Sequence, residues 1–141
     1  MDPQLRAFSV EEAEALIPTL TQLLNQLRQR QKEAVDLEAQ IDALELIAEK
    51  GSDKAVQELS RLTESHHAKV TEFYAIIDKI HSFGCVLKDA EIGLIDFYTI
   101  LNKKVVYLCW RIGEDHINFW HDTGKGYGSR EMLSNPPESE D

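Results

Sequence analysis

Apolar residues repeat in heptads over the first half of the chain and alternate with polar ones over the second. From Ala13, one position reads Ala13, Leu20, Leu27, Ala34, Ile41 and Ala48, and the other Leu16, Leu23, Arg30, Leu37 and Leu44. Only Arg30 interrupts this seam, and its long stem can lie along apolar surface. Sustained heptads predict helices packed as in a coiled coil. Phe8-Ser9-Val10-Glu11-Glu12 opens the first helix with a capping box, Ser9 to Glu12, and a hydrophobic staple at Phe8. Pro18 lies inside the pattern, where it removes a backbone hydrogen bond and collides with the carbonyl of Glu14. A break between Glu14 and Pro18 is expected. Gly51 stops the helix and Ser52 can cap the next, which runs from Asp53 to Ser82. The prediction is a helical hairpin over residues 10–82.

Beyond residue 84 the period changes to two. Residues 85–122 read as an antiparallel meander of three or four strands. Asn102-Lys103 can turn the chain, pairing Leu101 with Lys104, Phe97 with Leu108, Ile95 with Trp110 and Asp96 with Cys109. A tight turn at Gly113-Glu114 would pair Ile112 with Asp115. Val106, Leu108, Trp110, Ile117, Phe119 and His121 then share an apolar face. Tyr107, Cys109, Arg111, His116, Asn118 and Trp120 share an open, polar one, with Asp96 diagonal to Arg111. A slip of one residue would scramble this sorting.

The fold class is therefore α+β: a long N-terminal α-helical hairpin, kinked at Pro18, then the β-meander. Residues 1–133 form a single domain on this reading, and 134–141 an acidic, proline-containing tail expected to be disordered. Each long helix would extend ~45 Å. An eight-residue strand reaches only ~27 Å. Part of the helical seam thus needs another partner, and a homodimer through the helices is expected.

Charge narrows the function classes. The chain has 141 residues and a net charge of −10, with no basic segment, which argues against nucleic acid as a partner. There is no membrane-length apolar run and no signal pattern, so a cytoplasmic protein with no membrane contact is expected. The two cysteines, Cys85 and Cys109, are expected as free thiols.

Candidate chemistry is sparse. Zinc-type close pairs are lacking; His81-x₃-Cys85 is the nearest approach, and no native metal or cofactor is expected. Cys109 is the one reasonable nucleophile, yet Asp96 opposite it would raise its pKa. No phosphate-binding glycine motif or nucleophile elbow is present, so an enzyme is disfavoured. Asp96, Tyr107, Cys109, Arg111, Asn118 and Trp120 remain as a candidate ligand-binding surface on the open face. The leading expectation is a non-enzymatic, homo-oligomeric interaction protein with an unknown protein or small-molecule partner. The alternative is a small-ligand or metal-binding protein using the open sheet face.

The runs HSFGCVLKDAEIGLIDF, VYLCWRIGEDHINFWH and GYGSR, with the opening FSVEEAEALIPTL, resemble the bacterial family of uncharacterised proteins called domain of unknown function 2203. The resemblance covers most of the chain. Tyr98 and His116 depart from it, standing where members usually carry proline. It implies a bacterial cytosolic protein with no agreed activity, and it supplies no catalytic residue.

Overall fold

The computed structural model describes residues 6–139. Helix α1 (Val10–Ala15) is capped as its sequence demands: Ser9 Oγ accepts from the Glu12 amide, and Glu12 Oε1 accepts from the Ser9 amide. Leu16 closes it, and α2 (Ile17–Ala48) begins at once, with Pro18 in its first turn. There the missing N–H has no intrahelical partner to lose. Gly51, at φ +86°, ends the link to α3 (Asp53–Ser82), where Ser52 Oγ accepts from the Ala55 amide.

Five described strands follow, in the sheet order β1 (Val86–Asp89), β2 (Leu94–Leu101), β3 (Lys104–Arg111), β4 (Phe119–Asp122) and β5 (Glu131–Met132), all neighbours antiparallel. That is one strand more than the largest number the alternation predicts. β5 is only two residues long, too short to carry a pattern.

The described contacts gather into two compact units. One comprises Gln26–Ile77, and the other, among the described residues, 6–25 with 78–139. α2 and α3 each contribute to both.

Within the helical unit the hairpin is antiparallel and laced across its seam. Arg30 meets Glu72 at 3.7 Å, Lys69 meets Glu33 at 3.7 Å and His66 meets Glu38 at 3.0 Å. Leu27, Ala34, Ala55 and Leu62 are buried there. The heptad exception Arg30 is half-buried and also bonds Glu33.

In the sheet unit, β2 and β3 pair in the expected register, Leu101 with Lys104 and Asp96 with Cys109. Asn102 (φ +50°) and Lys103 (φ +66°) make the turn, both in the left-handed region a type I′ hairpin requires. Ile95, Phe97, Val106, Leu108 and Trp110 are fully buried on one face. Phe8 packs edge-on against Phe97, ring centroids 5.1 Å apart, and its amide donates to the Tyr98 carbonyl.

The β3–β4 register differs from expectation by one residue. Tyr107 pairs with His121, Leu108 with Trp120 and Cys109 with Phe119. The connection is not a two-residue turn, because seven residues separate Arg111 from Phe119. Gly113 does adopt a positive φ, +101°. Glu114 then organises the loop: its Oε1 accepts from the Arg111 amide, and its carbonyl accepts from the Trp110 indole. The Ile117 amide reaches Glu14 Oε2 on α1 at 2.9 Å, and Ile117 is buried. With side chains alternating at period two, this slip moves His121 and Phe119 to the face of Cys109 and sends Trp120 to the apolar one.

The segment expected to be disordered is tied down where it is described. The Asn135 carbonyl accepts from the Trp120 indole, the Pro137 carbonyl accepts from the Asn102 amide group, and Pro137 is buried. Residues 140–141 of that tail lie outside the described residues.

Candidate functional site

β2, β3 and β4 each place one polar side chain on the same face, side by side: Asp96, Cys109 and His121. Their ligand-type atoms all lie within 4.8 Å of one another, and it is the one such group among the described residues. All three are buried, at 1%, 0% and 1% exposure. The face expected to be open is therefore closed at its centre. Tyr107 is buried beside His121, its hydroxyl donates to that of Tyr98, and the Lys88 ammonium sits over its ring. The Arg130 guanidinium covers the Phe119 ring at 4.0 Å.

The imidazole is held by both nitrogens. Nδ1 lies 2.8 Å from the Asp122 carbonyl, an acceptor only, so Nδ1 carries a hydrogen and donates it. Nε2 lies 3.0 Å from Asp96 Oδ2. With Nδ1 protonated, a neutral ring would present a lone pair to a carboxylate, so a proton must be shared between Nε2 and Oδ2. Asp96 Oδ1 is buried with no N–H or O–H donor, and the Cys109 thiol is the other group directed at this carboxylate. A buried carboxylate with so few donors is costly in a low-dielectric interior.

Electrostatics follow from the same crowding. Burial raises the Asp96 pKa above its usual range, against the opposing pull of His121. Burial, reinforced by the Asp96 charge, pushes the Cys109 thiol up to about 12, although Arg130 opposes this. Cys109 is thus a thiol at neutral pH. Neither histidine nitrogen is free to take its proton, so the three residues do not form a nucleophile–base–orienter relay despite having the residue types for one.

A second layer fixes the cluster. Arg130 Nη2 donates to the Cys109 carbonyl at 3.0 Å and to Glu114 Oε1 at 2.7 Å, joining the segment after β4 to the β3–β4 loop. The sequence pattern does not single out Arg130 or Glu114 for this role. The signal available was GYGSR, whose Tyr127 and Arg130 stack on each other at 4.6 Å.

Of the residues expected on the binding surface, Asp96, Tyr107 and Cys109 come together. Arg111 is exposed and turns to the Tyr127 hydroxyl at 3.4 Å rather than to Asp96. Asn118 lies before β4, where its carbonyl accepts from the Leu133 amide, and Trp120 is on the opposite face. The weaker metal pair, His81 and Cys85, is turned to the backbone. His81 Nε2 accepts from the Leu87 amide and Cys85 Sγ donates to the Ile80 carbonyl. Burial pushes that second thiol up to about 11.

The fold is a two-helix hairpin followed by a five-stranded antiparallel sheet with a buried Asp–Cys–His cluster. Residues 6–133 match the family described as uncharacterized conserved protein (DUF2203), and the chain belongs to that family. No curated protein and no solved structure matches it. Among the described residues no helix is long and apolar enough to cross a membrane.

Proposed function

We propose that this is a metal-binding protein that holds a transition-metal ion of the zinc class between Asp96, Cys109 and His121. The observation that carries the reading is the convergence of three different donor atoms within 4.8 Å in a buried site. The Asp96 carboxylate has only His121 and the Cys109 thiol directed at it. Sulfur, imidazole nitrogen and carboxylate oxygen together suit Zn²⁺, whose bonds of roughly 2.0–2.3 Å place tetrahedral ligands roughly 3.3–3.8 Å apart.

The remaining features fit the same role. A divalent ion would replace the proton shared by His121 and Asp96 and neutralise the charge that crowds Cys109. The bond from His121 Nδ1 to the Asp122 carbonyl is the outer-shell contact that orients a histidine ligand and leaves Nε2 for the metal. Three protein ligands leave a fourth position for water or a small ligand. Both imidazole nitrogens are engaged, so no free base stands beside Cys109 to activate it as a nucleophile.

The test is metal content in protein purified without an affinity tag. Near-stoichiometric zinc, or another first-row divalent ion, is expected in wild type. Cys109→Ser and His121→Ala should lose it while keeping the far-ultraviolet circular dichroism of the fold. Protein that neither retains nor takes up an ion at micromolar concentration would refute the reading.

A further inference from the structure

The charges of α2 are divided by position. Residues 17–32 contain Arg28, Arg30 and Lys32 and no carboxylate, whereas residues 33–49 contain Glu33, Asp36, Glu38, Asp42, Glu45 and Glu49 and no cation. The change of sign occurs beside Val35, which is 55% exposed, an unusual exposure for a β-branched apolar side chain in mid-helix. Val35 also lines a groove of about 220 Å³ with Ala34 of the same helix and Val70, Phe73 and Tyr74 of α3. Tyr74 is 60% exposed.

Helical spacing relates these facts. Residues three and seven positions away from Val35 share its face. Toward the N-terminus these are Lys32 and Arg28; toward the C-terminus they are Glu38 and Asp42. The face is thus self-complementary under a twofold rotation about Val35. A second helix laid antiparallel, Val35 against Val35, meets Lys32 with Glu38 and Arg28 with Asp42, twice over. The apolar surface continues through the exposed Ala39 and Ala43 to Leu46, which is 65% exposed. An isologous interface has this property: the same patch serves both partners, so unlike charges lie at equal distances on either side of the axis.

We infer that this face of α2 docks a second copy of the same chain, antiparallel, with the twofold axis passing at Val35 and the groove beside Tyr74. Burial of Val35 and Tyr74 supplies the attraction, since surface ion pairs each contribute little. The charges set the direction: a parallel pairing would stack cations on cations and carboxylates on carboxylates. Leu62 takes no part in this interface, because it is already buried.

The experiment uses full-length protein and two charge-reversed variants, Arg28→Glu/Lys32→Glu and Glu38→Lys/Asp42→Lys. Light scattering should give wild type twice the 16.1 kDa chain mass. Each variant alone should be monomeric with a wild-type circular dichroism spectrum, because its face carries a single sign of charge. Mixed in equal amounts, the two should return to the doubled mass as a heterodimer. Monomeric wild type would overturn the proposal, as would variants that stay dimeric alone or folded variants that fail to recombine. Should either variant not fold, Val35→Cys decides: oxidation should link two copies through that cysteine, and failure to cross-link would overturn the axis.

Discussion

His121 on β4 faces Asp96 on β2 across the intervening strand, with Nε2 3.0 Å from Oδ2 and both side chains 1% exposed. Removing either member strands the other in a low-dielectric interior. In chelator-treated protein, Asp96→Ala or His121→Ala should each cost about 3–5 kcal/mol in a urea titration. Asp96→Asn should cost much less, because the new amide can donate to Nε2. The double replacement Asp96→Val/His121→Leu should cost less than the two single alanine losses together, since no charge is left behind.

Cys109 should be silent to thiol reagents in the native state. It is fully buried and its pKa lies far above neutrality, so neither access nor thiolate is available. At pH 8, in chelator, alkylation should proceed only at the rate of unfolding. Labelling as fast as a free thiol would contradict the placement.

The same shift predicts a pH dependence of the metal-free protein. The folded-state pKa of Cys109 lies above its ordinary value of 9.0, at about 12, so the native state holds the thiol proton more tightly than the unfolded chain does. Stability is therefore retained below about pH 9 and falls as pH rises toward 12. Cys85, raised to about 11, adds to the fall in the same direction. Cys109→Ser should flatten part of this slope in urea titrations between pH 8 and 10.

Glu114 should matter more than an exposed loop carboxylate normally does. Its Oε1 accepts from both the Arg111 amide and Arg130, and its loss would leave the half-buried Arg130 guanidinium without its carboxylate. Glu114→Ala should lower stability by about 2 kcal/mol. It should also speed hydrogen exchange at the Arg111 amide, and exchange as slow as wild type would contradict the role.

The fold was legible wherever local chemistry decided it. Ser9 and Glu12 announce the start of α1, Pro18 its separation from α2, and Gly51-Ser52 the hairpin link. Alternation and the Asn102-Lys103 turn fix β2 against β3 residue by residue. The cluster was only half legible, because its last member depends on the β3–β4 register. Gly113-Glu114 reads as a two-residue turn, yet Glu114 is engaged by Arg130, sixteen residues on, and Ile117 by Glu14, more than a hundred residues back. Neither contact leaves a periodic trace in sequence. The resulting one-residue shift carries His121 from the apolar face to Asp96 and Cys109, turning scattered ligand types into a single site.

That site can be read directly by titrating metal-free protein with cobalt(II), which takes zinc's place and reports its ligands by colour. One equivalent should saturate, with a near-ultraviolet sulfur-to-cobalt charge-transfer band and visible bands of tetrahedral intensity. Cys109→Ser should abolish the charge-transfer band, and Asp96→Ala and His121→Ala should weaken binding by at least tenfold. Folded wild-type protein that shows no charge-transfer band at saturating cobalt would contradict metal binding at Asp96, Cys109 and His121.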